Sequence, residues 1–281
     1  MRLVDLHAHT NASDGSMTPT ELVTYAKEKG LAAIAVTDHD TVAGLDEAMR
    51  AGEALGVEVV PGIETTTVVD GCDVHIVCLY FDRTHPAMTA RFADLAKSRD
   101  DRNRAMVQRL HDAGLNIQWA DFAQWEGRSI ARGHIAQILI ARGYASSLRE
   151  AIANYMSPGT PGYVARKTPT PKAFISAVHE AGGVAFIAHI NQIDRENWPH
   201  AEAVCREVIL AGADGLETLY CEYDDTWRAR AESLRSEYNL LASGGSDFHG
   251  TIKPGLDLGS GYGDLKIDYA VLDAIKKYIS R

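Results

Sequence analysis

Apolar and polar positions along this 281-residue chain follow two alternating rhythms. Short apolar runs bounded by turn residues, "RLVDLH", "LAAIAVT", "VEVVPG" and "DVHIVCLYF", read as strands, with helical spacing between most of them. The first helix is signalled at both ends. In "TPTELVTYAKEKG", Thr18 is the N-cap, Pro19 takes the first helical position, Glu21 closes a capping box and Gly30 is the stop. A second helix is expected over residues 46–55. A long one is expected over 86–113, ended by Gly114. Shorter helical patterns follow in "WADFAQWEG", "IARGHIAQILIARG" and "SLREAIANYM", with no convincing strand before "SPGTPGYVARKTPTP".

The strand–helix rhythm then resumes. Thr170 and Pro171 open a helix that stops at Gly182-Gly183. After it come the strands "VAFIAHI" and "DGLETLY", each followed by a helical pattern, then "LLASGGSDFHG" and a closing helix in "DYAVLDAIKKYIS". Roughly seven strands alternating with helices predict an α/β fold with a parallel sheet, closed into a barrel at this length. Residues 1–88 and 170–281 make the barrel in this reading, and 89–169 form an inserted all-helical cap. No GxGxxG or Walker loop supports a nucleotide-binding doubly wound sheet.

Composition narrows the class. No run reaches the ~18 apolar residues of a membrane span, and "MRLVDLHAHT" lacks the features of a signal peptide, so a cytoplasmic location without membrane contact is expected. Cys72, Cys78, Cys205 and Cys221 form no CxxC pair, which predicts ordinary reduced thiols. The net charge of −10 is uneven: residues 91–167 carry +5 and the remainder −15. A basic segment in an acidic frame suits an anionic substrate, and equally suits a solvated helical face.

The strand ends carry the chemistry. They supply His7, His9 and Asp14; then His39 in "TDHD", Glu64 in "PGIE", His75, His189 in "AHI", and Asp247 and His249 in "SGGSDFHG". The C-terminal ends of parallel barrel strands share one mouth. Singly, His75 reads as a hydrogen-bonded core histidine and Glu64, Asp14 or Asp247 as turn residues. Six imidazoles and three carboxylates in one mouth need compensation, which divalent cations provide. Nine ligands imply two or three ions. Imidazole mixed with carboxylate suits Mn2+ best here, with Fe or Zn also compatible.

The series "DLHAHT", "TDHD", "GIE", "DVH", "AHI" and "SGGSDFHG" resembles the PHP (polymerase and histidinol phosphatase) metal-dependent phosphoesterases. The resemblance implies a distorted (β/α)7 barrel with a trinuclear centre. One metal would lie on His7, His9, Glu64 and Asp247; a second on Glu64, His75 and His189; a third on Asp14, His39 and His249. Some members have histidine where this chain has Asp14. Metals sharing Glu64 would lower the pKa of a bridging water and present hydroxide to phosphorus. Asp247, His249 or Asp40 would handle protons, and Asp38 would orient a ligand imidazole.

The insert bears on the substrate. Arg132 and His134 in "SIARGHIAQ" are placed to clamp a phosphate at a helix start. A similar Arg-x-His stretch marks the nucleotide branch of the resembled family. Arg102 and Asn103, with Arg99, Arg104 and Lys167, are further candidates, as is Asp40. Trp119, Phe122, Trp125, Tyr155 and Tyr163 read either as base-stacking or as packing residues.

The reading is a hydrolase removing the 3′-phosphate of nucleoside 3′,5′-bisphosphates such as 3′-phosphoadenosine 5′-phosphate. Alternatives are a 5′-3′ exonuclease on short 5′-phosphorylated oligoribonucleotides, a histidinol phosphate phosphatase, and a non-catalytic metal-stabilised binding module. Duplex DNA is not an expected partner, and the oligomeric state is left open.

Overall fold

The computed structural model describes residues 2–125, 130 and 132–281, with backbone alone at 124–125. Seven strands form one sheet in chain order: β1 (Leu3–Asp5), β2 (Leu31–Val36), β3 (Glu58–Val69), β4 (Cys72–Leu79), β5 (Val184–Ile187), β6 (Gly215–Tyr220) and β7 (Leu241–Gly245). The sheet curls until its ends meet, where Leu6 N donates to Gly244 O at 3.1 Å. The result is a nearly closed, distorted α/β barrel.

One expectation needs correction: the sheet is not wholly parallel. β4 runs antiparallel to both β3 and β5, while the other neighbouring pairs are parallel. The cause is local. Asp70 and Gly71 both take positive φ, 47° and 77°, the backbone of a tight hairpin turn. This Asp-Gly pair reverses the chain where a helix was not needed. β3 therefore continues past Glu64 to Val69 rather than ending in "PGIE". The reversal serves the site, because the early residues of β4, His75 among them, reach the mouth that the other strands reach with their C-terminal ends.

The barrel is stabilised by apolar burial and by capped helices. Leu6, Ile34, Ile63, Ile76 and Phe186 are fully buried, each contributing about 1.5–3 kcal/mol relative to exposure. In α1 (Pro19–Glu28) the Thr18–Glu21 capping box forms with Pro19 inside it. Thr170 caps the helix Pro171–Glu180, and losing such a cap costs about 1 kcal/mol.

The chain divides into two compact units, Met1–Phe92 with Pro169–Arg281, and Ala93–Thr168. The second unit contains most of the helix Pro86–Asp112, a 3-10 turn at Trp119–Trp125, and the helices Arg132–Ala141 and Leu148–Tyr155. Met106, Leu110, Phe122, Ile135 and Leu139 give it a hydrophobic core of its own.

Candidate metal centre

β1 ends at Asp5, but the chain stays extended beyond it, so His7 and His9 share a face and their Nε2 atoms stand 3.1 Å apart. The segment after β7 lies alongside. Asp247 N donates to His7 O and His9 N to Phe248 O, both at 2.9 Å. Gly245 makes this approach possible: a Cβ there would meet His7 Cβ at 2.3 Å and His7 N at 2.5 Å. Beneath both segments lies Asp5, fully buried. It accepts from Ser246 Oγ at 2.5 Å, Ser246 N at 3.0 Å, His7 N at 3.2 Å and Gly259 N at 2.8 Å. Burial pushes its carboxyl up, and those hydrogen bonds oppose the shift.

Glu64 is the hub. His7 Nε2, His9 Nε2 and His39 Nδ1 stand 3.1, 3.2 and 3.1 Å from its Oε2. His75 Nδ1 and His189 Nε2 stand 2.8 and 2.9 Å from its Oε1. Burial alone would raise this carboxyl, yet the imidazoles of His39, His7 and His75 hold it well below the ordinary carboxylate range. Burial likewise opposes a charge on His9, but the adjacent Asp247 and Glu64 carboxylates prevail and push it up to about 9. At His39 burial wins and lowers the imidazole to about 3.

Two details fit these residues to cations. Glu64 Oε2 and His9 Nδ1 are buried without a hydrogen-bond partner, although nitrogens surround the former. Ligand atoms ~2.1 Å from a shared ion lie ~3.0–3.4 Å from one another, which is the spacing seen around Glu64 Oε2. Donors and acceptors that crowd without pairing are costly in a dry interior unless a cation takes their lone pairs.

Three groups of atoms lie close enough to hold ions: His7, His9, Glu64 and Asp247; His39, Glu64 and His75; and His9, Asp14, His39 and His249. The first has the membership expected from the sequence. The other two are interleaved more closely than expected, with His39 reaching both Glu64 and Asp14. His189 joins through Glu64 Oε1. Asp14 is the exposed corner, its Oδ1 3.3 Å from His249 Nε2, and His249 stacks on His9 with ring centroids 4.1 Å apart. Outside glycine, positive φ occurs at six described residues, and Asp40, His189 and Asp247 are three of them. Backbone strain of this kind persists where a site requires it.

Asp38 departs from expectation. Rather than an imidazole, it holds the loop leading to Asp14, accepting from Thr10 N and Oγ1 at 2.7 Å and from Ser13 Oγ at 2.6 Å. The orienting role falls to Glu217, which sequence reasoning missed. This fully buried carboxylate on β6 lies 2.8 Å from His7 Nδ1 and accepts from His189 N at 2.7 Å. An acid inside the apolar strand "DGLETLY" was the available signal. Also missed were Lys253 and Tyr220, whose Nζ and hydroxyl donate to Asp247 Oδ2 at 2.5 and 3.1 Å. Asp40 is buried and accepts from Thr65 Oγ1 at 2.8 Å.

In the helical unit, Arg132 is the exposed first residue of its helix, and His134 is half-buried, its imidazole lowered by burial. Arg102 Nε donates to Val164 O at 2.9 Å. Asn103 is buried, and its amide donates to Ile130 O at 2.6 Å. Both fasten the unit's own backbone. Trp119 stacks on Phe122, and the Arg104 guanidinium lies over the Trp119 ring, 4.1 Å from its centre, a packing arrangement. The Trp125 side chain and, in "SIARGHIAQ", Ser129 and Ala131 lie outside the described residues.

Comparison with known proteins gives a consistent picture. The model of the PHP domain matches residues 5–158. A 5′-3′ exoribonuclease of Haemophilus influenzae is 34% identical over 246 residues, covering 87% of this chain and 89% of its own length. A 3′,5′-nucleoside bisphosphate phosphatase of Chromobacterium violaceum is 32% identical over 267 residues, covering 92% and 91%. Among solved structures, a metal-dependent phosphoesterase described from Bifidobacterium adolescentis superposes with a TM-score of 0.82 at 33% identity, covering 98% of this chain and 95% of that one.

Proposed function

The chain belongs to the PHP family, and from that premise we propose that it is a metal-dependent phosphoesterase that breaks the P–O3′ bond of a nucleoside 5′-phosphate carrying a 3′-phosphoryl group. Nucleoside 3′,5′-bisphosphates are the principal substrates in this reading. The observation that carries it is the Glu64 hub, a buried carboxylate with five imidazole nitrogens within 3.2 Å and one oxygen that accepts no hydrogen bond.

His7, His9, Asp14, His39, Glu64, His75, His189, Asp247 and His249 would hold two or three divalent ions, with Mn2+ the proposed metal and Fe or Zn compatible with the same donors. Bound there, the ions supply charge neutralisation for phosphate oxygens and a water acidic enough to ionise near neutral pH. Glu217 fixes the ring of His7 and the backbone of His189. Lys253 and Tyr220 fix Asp247. Water attacks phosphorus, the P–O3′ bond breaks, and the departing oxygen takes a proton. Asp247, His249 and Asp40 are the proposed proton carriers. Arg132 and His134 are proposed to bind the substrate's second phosphate, with Asp40, Arg102 and Asn103 as further contacts.

A second reading rests on the 34% identity to the Haemophilus influenzae exoribonuclease. Removing a 5′-nucleotide from a short 5′-phosphorylated oligoribonucleotide breaks the same P–O3′ bond, and only the group beyond the phosphorus differs. The two readings are tested together by assaying Mn2+-loaded protein on adenosine 3′,5′-bisphosphate beside 5′-phosphorylated di- and trinucleotides. Phosphate release chiefly from the first supports the bisphosphatase, and mononucleotide release chiefly from the others supports the exonuclease. Hydrolysis of none of them, nor of histidinol phosphate or a sugar phosphate, would leave the non-catalytic binding module.

A further inference from the structure

Immediately after the ligand His249, the chain enters a glycine-rich segment that the reaction described above does not use. Its placement is rigid. Gly259 N is bound by Asp5 at 2.8 Å, the same carboxylate that holds the segments of His7 and Asp247. Asp257 and Gly261 exchange backbone hydrogen bonds at 2.8 Å each way, and Tyr25 hydroxyl donates to Asp257 Oδ1 at 2.7 Å. Gly261 presses on Cys221, the residue directly after β6. A Cβ at Gly261 would fall 2.6 Å from Cys221 Cβ, and Cys221 Sγ donates to Ser246 O. Gly261 is therefore pinned at the end of β6, at the mouth, while Asp257 and Gly259 pack lower, on Tyr25, Lys29 and Leu31.

What it exposes there is apolar. Among the described residues only seven large hydrophobic side chains are exposed, and two of them, Ile252 and Tyr262, at 59% and 55%, lie on this one segment. Lys253 sits between them in sequence with its ammonium 2.5 Å from Asp247 Oδ2. Tyr262 directly follows Gly261, which packs on Cys221, and Cys221 Sγ donates to the carbonyl of Ser246, the residue before Asp247. An exposed aromatic ring on a segment whose backbone is fixed beside a phosphoester site has the properties of a stacking platform for a planar ring.

We propose that Tyr262 is the nucleobase-stacking residue of this site, and that it forms the nucleoside subsite together with Ile252. The inference rests on the nucleotide reading given above and deepens it. Stacking accepts any base, so the subsite favours a nucleotide over a base-free sugar phosphate without selecting among bases.

The test compares adenosine 3′,5′-bisphosphate with base-free ribose 3,5-bisphosphate as substrates. Tyr262→Ala should raise KM for the first about ten-fold more than for the second, and Tyr262→Phe, which keeps the ring, should restore the wild-type ratio. A second readout needs no turnover. In Tyr262→Trp, titration with adenosine 5′-monophosphate should quench fluorescence beyond the wild-type response, and ribose 5-phosphate should not. Equal KM changes on both substrates, or absence of added quenching while calorimetry records adenosine 5′-monophosphate binding, would overturn the stacking role and leave the nucleotide reading standing. Wild-type protein that neither binds nor hydrolyses nucleotides would overturn that reading and this inference with it.

Discussion

Glu217 and His7 are joined by a 2.8 Å contact between Oε1 and Nδ1, and the other oxygen of the same carboxylate accepts from the backbone of His189 at 2.7 Å. One buried acid thus fixes two proposed ligand positions that lie far apart in the chain. A glutamine there has a single acceptor oxygen for two donors, so one of the two bonds must be lost. Glu217→Gln should lower metal affinity or kcat/KM about 10–100-fold. Metal titration with steady-state assay checks this, and wild-type values in the variant would remove Glu217 from the account.

Ligand removal should separate function from folding. Asp247→Asn and His189→Ala are expected to lose at least about 100-fold in turnover. The far-UV circular dichroism should keep its α/β signature, since the barrel core is apolar and distinct from these side chains. A variant that unfolds outright would show that the residue serves structure before chemistry.

Gly245 offers a test of packing against the site. A methyl group there meets backbone and side-chain atoms of His7, and none of them moves without moving this proposed ligand. Gly245→Ala should destabilise the protein by about 1–3 kcal/mol and reduce bound metal at the same time. Denaturant melts and elemental analysis on one sample read both. Loss of stability with full metal content would refute the coupling.

How much of this was legible in the sequence follows from the kind of force involved. The helix starts at Thr18 and Thr170 are local chemistry, and both caps form as their sequences predict. The seven strands are visible as apolar runs, and the structure brings the nine proposed ligands into one cluster. The direction of β4 was missed because apolar runs carry no sign, although Asp70-Gly71 encoded the reversal. Glu217 and Asp5 were missed because their partners lie up to 254 residues away, and Lys253, only six residues from Asp247, because no local motif marks the pairing. An isolated acid in a strand has no meaning until the fold supplies His7 beside it. Asp38 shows the converse, since a position next to a ligand in sequence turned out to serve a loop.

The end of the barrel away from the centre should carry a pH-dependent share of stability. Asp214 Oδ2 accepts from Ala185 N and lies 2.8 Å from His179 Nε2, and that hydrogen bond raises the imidazole above its ordinary value. A histidine whose folded pKa exceeds its unfolded pKa stabilises fully below the unfolded value, about 6.5. The contribution fades as pH rises through the folded value. The melting-temperature difference between wild type and His179→Ala should therefore be largest near pH 5.5 and shrink by pH 9. A difference that grows with pH would contradict the assignment.

The helical unit should affect affinity rather than turnover. Arg132→Ala is expected to raise KM for adenosine 3′,5′-bisphosphate far more than for an aryl phosphate, which lacks a second anion. Equal effects on the two would mean that Arg132 is structural or touches only the reacting phosphate.

The central claim is that Glu64 gathers a multi-metal centre that hydrolyses phosphoesters. Metal content per chain, measured together with phosphate release from adenosine 3′,5′-bisphosphate for wild type and Glu64→Gln, tests it most directly. The account predicts two or three divalent ions per wild-type chain with hydrolysis, and loss of both in the variant. Wild-type protein that binds no divalent metal, or a Glu64→Gln variant that keeps full metal content and activity, would contradict it.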